Sequence, residues 1–306
     1  SSLEQGLNGI TTGLYSHAEG RETETTGSQS HAEGFRSRAI GTSAHAEGST
    51  TIALGNSSHT EGVSTVASGS NSHAEGNGSI ARGVSSHAEG TTTLAIGKGS
   101  HSEGSETQAE GDFSHTEGTS TIAIGNSSHS EGDGNQAIGD YSHAEGSSNQ
   151  SIGTWSHAEG YGTTSSGSYS HAEGTSTVAL GNFSHAEGRS TQANGIGSHS
   201  EGYETITTGE YSHAEGEVTI ALGLSSHAEG LGTVASGSYQ HVQGQYNISS
   251  SSPSAFIIGN GTSDASRSNL VFASGSQFQI TGSLNVNGTL TSTNFGGTIE
   301  GGSGGD

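Results

Sequence analysis

The sequence predicts an all-β fold: a parallel β-roll solenoid of 14-residue coils, followed by a short β-rich neck. Three observations predict it. Every one of the 17 histidines lies on a fixed step of 14 residues. Each step divides into two halves of the form Ser/Thr-x-Ala-x-Gly-x-x, as in TIALG at 51–55 and SHTEG at 58–62. And 53 glycines with only 26 % hydrophobic residues leave too little apolar mass for a conventional core of 306 residues. Such a composition usually signals disorder, but a strict period signals stacked repeats.

The strands come first. Five residues of strict alternation match a β-strand, whose side chains point to opposite faces in turn. The corners follow, because glycine and two short or polar residues suit a tight turn. One 14-residue coil is therefore two short strands. Stacked at about 4.8 Å, seventeen coils make a rod roughly 80 Å long.

The alternation also assigns the faces. Ser/Thr, Ala and Gly occupy positions 1, 3 and 5 of each half and are expected inside a thin coil. Positions 2 and 4 are expected outside. On one sheet these form a ladder: His17 and Glu19, His31 and Glu33, His45 and Glu47, His59 and Glu61, His73 and Glu75, His87 and Glu89, His101 and Glu103, His115 and Glu117, His129 and Glu131, His143 and Glu145, His157 and Glu159, His171 and Glu173, His185 and Glu187, His199 and Glu201, His213 and Glu215, His227 and Glu229, then His241 with Gln243 in place of the acid. On the other sheet they vary, as in Ile52/Leu54, Ile80/Arg82, Gln108/Glu110 and Gln192/Asn194.

A coil filled with Ser, Ala and Gly buries too little apolar surface to offset its ordering entropy. One outer face is therefore expected to be covered by another copy of the chain. The variable face carries Arg82, Glu110 and Asn194, which are costly to bury. The uniform His/Glu ladder is thus expected at the subunit interface, with His paired to Glu across chains. That pairing predicts raised histidine pKa values, depressed glutamate pKa values and greatest stability in mild acid. A metal held by three histidines per layer is the alternative. With a Glu beside each His, no metal and no cofactor are expected.

A second column lies at one corner. The residue before the ladder Ser is Tyr141, Trp155, Tyr169 and Phe183 in four successive coils, with Phe113 before and Tyr211 and Tyr239 after. These predict a vertical aromatic stack. Its expected role is packing; a candidate glycan contact is the functional alternative.

Composition narrows the partners. A formal charge of -23 with seven Lys and Arg disfavours nucleic acid. No apolar run reaches the roughly 18 residues a spanning segment needs, so no membrane insertion is expected. The absence of cysteine rules out disulfides. There is no Met and no visible signal peptide, so the chain is expected to be processed or part of a longer product. Catalysis is not expected: an enzyme singles out one pair in one environment, and a glycosidase needs two carboxylates at a set separation. An ice- or mineral-binding rod would show a regular outward Thr or Asp ladder, and here the Thr recurs at the inward position.

The half-repeat resembles the SxAxG head repeat of trimeric autotransporter adhesins. The YSHAEG spelling at 141–146 more closely resembles repeats in tail-fibre and prophage tail proteins of bacterial viruses. The stretches YQHVQGQY at 239–246 and AFIIGNGTSD at 255–264 resemble the neck of such fibres, and 275–290 resembles their linker modules. The resemblance implies a left-handed roll, a homotrimer and an extracellular attachment fibre. It implies a virion tail fibre, or alternatively the head of a bacterial surface adhesin. The implied partners are other fibre or baseplate proteins and a host cell-surface glycan or protein. The organisation expected is a roll over 1–246, a β-rich neck and linker over 247–290, and a Gly-rich tail over 291–306.

Overall fold

The computed structural model describes residues 2–287, apart from the side chains of Glu4 and Gln5. The expected Gly-rich tail lies outside the described residues. The chain winds into an all-β parallel solenoid of about 18 turns. Each coil contributes one longer strand, such as His73–Asn77, and one short strand, such as Ile80–Ala81. Residue pairs with residue one coil on: His73 with His87, Ala74 with Ala88, Glu75 with Glu89, and Val66 with Ile80. A 14-residue repeat in register puts like on like, and every sequence ladder becomes a column in space.

The core is one small side chain thick. Ala18, Ala32, Ala53, Ala95 and Ala123 are fully buried. Beside them lie buried hydroxyls, which need partners to be tolerated there. Ser30, Ser58 and Ser100 each donate to the glycine carbonyl three residues back, at 2.7 Å. This hooks the corner onto the start of the strand. In two coils Asn replaces the threonine. Asn135 donates to the Gly146 carbonyl at 2.7 Å and accepts from the Asn149 amide at 2.7 Å.

The two glycines of a coil do different jobs, against expectation. Gly41 and Gly55, which end the short-strand half, are buried. Gly34 and Gly48, which end the His-containing half, are exposed. The reason is backbone geometry: Gly34 has φ +100 and Gly48 φ +107, which breaks the alternation after Glu and turns the backbone outward. Both kinds are nonetheless closed to a side chain. A Cβ on Gly41 would lie 2.0 Å from the Gly55 carbonyl oxygen, and one on Gly34 would lie 2.2 Å from that of Gly48.

The residue before each inner Ser or Thr is also left-handed, whatever its identity. Ser57, Ser64 and Asn71 have φ between 54 and 57, and Trp155 has φ 60. Two such residues per coil turn the chain through its two corners.

The parallel stack runs past Tyr246. Phe256–Asn260 pairs parallel with His241–Gln245. Asn269–Ser274 then pairs antiparallel with it, and Gln277–Ile280 antiparallel with that. At this end the core residues grow: Val242 and Ile257 are fully buried, with Phe272 against them. The antiparallel hairpin covers the last parallel edge, which would otherwise template further pairing. Leu284 and Val286 lie beyond these strands and are exposed.

Candidate functional site

The His/Glu ladder occupies the outer face of the longer strands, one pair per coil. Successive imidazoles stack face to face, with ring centroids 4.7 to 4.9 Å apart from His17 to His227. About a third of each side chain stays accessible; His87 and Glu89 are 35 % and 36 % exposed. The Nε2 atom points sideways toward its Glu and is buried in all 17 histidines, without a hydrogen-bond partner.

The pairs close within one chain. In the first half of the rod most histidines face their own Glu: His45 and Glu47 at 3.6 Å, His73 and Glu75 at 3.5 Å, His87 and Glu89 at 3.4 Å. From Glu145 onward each carboxylate reaches the next coil, and Glu215 and Glu229 reach it in place of their own His. His157 lies 3.5 Å from Glu145 and 3.9 Å from Glu159; His171 lies 3.5 Å from Glu159. His241, whose own acid is Gln243, lies 3.6 Å from Glu229. The pairing expected between chains is therefore available inside a single one, because a 14-residue step brings neighbouring coils as close as a neighbouring subunit.

The histidines differ from expectation in sign, and the glutamates do so only in part. Burial and then the neighbouring rings push His73, His129 and His185 below the ordinary imidazole value. A stacked column of imidazolium ions at this spacing repels itself. The carboxylates alternate. Glu131 is pushed up to about 7 by burial and by the flanking Glu117 and Glu145; Glu159 is pushed up to about 7 by the carboxyls of Glu145 and Glu173. On either side of Glu159, Glu145 and Glu173 are held down, first by the hydrogen bond from Glu159. Like charges on a ladder share protons instead of all ionising.

Beside the acids, a groove of about 740 Å³ runs along the rod from Glu173 to Ile258, lined also by Gly202, Gly216 and Gln243. It exists because the exposed glycines of the longer strands leave a gutter next to the Glu column. No sequence signal marked it, since those glycines were expected inside.

The aromatic column forms as expected. Tyr141 stacks on Trp155 at 4.1 Å and 5°, and Tyr169 on Phe183 at 5.1 Å and 3°; Trp155 and Tyr169 are parallel but offset, at 6.4 Å. The rings face one another along the rod, so solvent meets mainly their edges, and each residue remains about half exposed. Where the previous coil has glycine at this corner, the ring lies over it. A Cβ on Gly99 would lie 2.9 Å from the Phe113 ring, and one on Gly197 2.8 Å from that of Tyr211.

The short-strand face is the more apolar of the two. Leu54, Ile124, Leu180 and Leu222 are 42 to 50 % exposed, in one column interrupted by Arg82, Glu110 and Asn194.

This geometry is matched by one family model, the YadA head domain repeat, over residues 32–58, 61–83, 117–134, 158–184, 172–198 and 214–239. These segments are similar to YadA head repeats. The matched segments fall throughout the roll and take in both halves of the coil. These repeats are the head element of trimeric autotransporter adhesins and point to an adhesin-type fibre. Comparison with curated proteins gave no match. Among the described residues no helix is long and apolar enough to cross a membrane.

Proposed function

We propose that the chain is the non-catalytic, rod-shaped head of a homotrimeric adhesive fibre that binds surfaces outside the cell. The observation that carries this is the uniformity of the rod together with its similarity to YadA head repeats. Sixteen equivalent His–Glu pairs leave no single pair in a special environment for chemistry. A bacterial surface adhesin is the setting favoured by the family match. The viral tail fibre is the second reading, supported by the YSHAEG spelling of the repeat. Partners from the fibre base or baseplate belong to that second setting.

One face of so thin a coil calls for cover, and we place the short-strand face against the other copies. The ladder was the expected interface because its charges needed partners. Carboxylates of the same chain approach most of those histidines, whereas Leu54, Ile124, Leu180 and Leu222 stay 42 to 50 % exposed. We place contact with a host glycan at the exposed edge of Tyr141, Trp155, Tyr169 and Phe183, where ring edges and tyrosine hydroxyls face solvent.

Light scattering tests the assembly: the expected result is a rod-shaped trimer, and a stable folded monomer overturns it. Leu180→Asp with Leu222→Asp is expected to dissociate the trimer, while His171→Gln with His185→Gln leaves it intact. The opposite pattern returns the ladder to the interface.

A further inference from the structure

We propose that the His/Glu ladder is a one-dimensional array of binding sites for a divalent transition-metal ion of the zinc type, each built from two stacked histidines and one glutamate of adjacent coils. The donor atoms are neighbours along the ladder. His45, Glu47 and His59 place one ligand atom each within 4.8 Å of one another. So do His73, Glu75 and His87, and the grouping recurs along the ladder.

Two features point to an ion instead of simple pairing. First, the His–Glu separations are long for hydrogen bonds: 3.5 Å at His73–Glu75 and 3.6 Å at His101–Glu103. They suit two ligands sharing one ion, since metal bonds of about 2.0–2.1 Å at a tetrahedral angle set nitrogen and oxygen about 3.3 Å apart. Second, Nε2 is buried in every histidine and makes no hydrogen bond. A buried ring nitrogen without a hydrogen-bond partner is costly, and column-wide repetition of that cost calls for an occupant. An imidazole lone pair lies in its ring plane and the planes are nearly parallel, 4.7 to 4.8 Å apart at His45–His59 and His73–His87, so both rings must tilt well out of the stack to bring their nitrogens onto one ion. The nitrogen donors select zinc and its neighbours over magnesium and calcium, which take oxygen.

The arrangement sets its own stoichiometry. Each Nε2 has one lone pair, so the sites His45–Glu47–His59 and His59–Glu61–His73 compete for His59. Filled sites must alternate, one ion per two coils. One doubly charged ion then balances the two glutamates of those two coils. This neutralises a column of acids that would otherwise repel at about 4.8 Å. With two of the 17 histidines per ion, the ladder holds at most eight ions per chain.

Alternation makes a parity rule. His73 is the fifth histidine and His87 the sixth. His73→Gln leaves four histidines before it and twelve after, which still pair completely into eight sites. His87→Gln leaves five and eleven, and one histidine on each side is stranded.

The test is equilibrium dialysis of the full chain against Zn²⁺ near neutral pH, with Mg²⁺ as control and metal counted by elemental analysis. The expected result is saturation near eight ions, unchanged in His73→Gln and one fewer in His87→Gln. Retention no greater than that of Mg²⁺ overturns the proposal, as does equal loss in the two variants. A second readout needs no variant. Cu²⁺ added at one ion per chain should show two nitrogen ligands by electron paramagnetic resonance, and a single nitrogen would refute the two-coil site.

Discussion

Replacing Gly97 by Ala should disrupt the rod far more than replacing Gly78 by Ala, although the two glycines are 19 residues apart in the same array. Gly97 is buried, and its φ lies outside the left-handed range, so the backbone accepts alanine. The obstacle is the next coil: the new Cβ would lie 1.9 Å from the Gly111 carbonyl oxygen and 2.3 Å from its carbon. Real contacts do not fall below 3.0 Å, so the coils must part there by about 1.1 Å. The rungs alongside are Leu94 N to Thr107 O at 2.9 Å and Ile96 N to Ala109 O at 2.8 Å. Parting by that amount breaks both. Two buried hydrogen bonds left open cost about 3 kcal/mol or more together. Gly78 has φ +72 and open space around it, with Thr92 Oγ1 at 3.8 Å. Alanine there meets only left-handed strain, about 1 kcal/mol. Denaturant melts of the two variants, with hydrogen exchange across 91–112 to localise the damage, measure the contrast. If Gly97→Ala is no more destabilising than Gly78→Ala, the close approach between coils is not what holds glycine in the repeat.

The remaining predictions concern pH and the aromatic edge. Ten histidines, His73 and His129 among them, have folded values below 6.5, so as pH falls through 6.5 the unfolded chain takes up protons first and stability drops. Glu131, Glu159 and Glu187, raised to about 7, act oppositely: their contribution is present below 4.5 and lost as pH rises through 7. The two sets oppose each other between pH 5.5 and 7, so they are read apart: in a variant with Glu131→Gln, Glu159→Gln and Glu187→Gln, thermal melts should be higher at pH 7 than at pH 5.5, and a higher melting temperature at pH 5.5 in that variant contradicts the neutral stack and restores charged His–Glu pairing. At the corner, Trp155 has φ 60 and stacks on Tyr141. Trp155→Ala loses the stack and keeps the strain, whereas Trp155→Gly loses the stack and sheds about 1 kcal/mol of strain. The Gly variant should therefore melt above the Ala variant by a few degrees, and the reverse order would show that left-handed geometry is not strained there.

Much of the fold was legible because the repeat states it twice per coil. Period 2 within TIALG and SHTEG assigned the strands, and the 14-residue step assigned the register that joins His73 to His87 and Ala74 to Ala88. The aromatic column was legible for the same reason. What a repeat conceals is a letter with two meanings. Glycine at position 5 reads identically in both halves, yet Gly41 is buried and Gly34 is exposed at φ +100. The first is required by the backbone of the next coil alone, the second by that and by its own dihedral. No alternation pattern separates these, and the groove beside the Glu column was hidden with them.

Which partner each ladder histidine takes was concealed in the same way. Adjacent coils are 14 residues apart in sequence but one strand spacing apart in space, so a Glu counted as belonging to its own His also borders the next. The last coil exposes this. His241 has Gln243 where its acid should be, which in a model of pairs two residues apart leaves it unmatched. In the structure it lies 3.6 Å from Glu229 of the preceding coil. Pairing by bridging needs one acid fewer than there are histidines, as a fence needs one panel fewer than it has posts. Over the bridged part of the ladder, the eight histidines from His143 to His241 and the seven glutamates from Glu145 to Glu229 satisfy that count. The substitution at Gln243 therefore marks the end of the bridged stretch that begins at Glu145, and it is the single place where the sequence itself departs from isolated pairs.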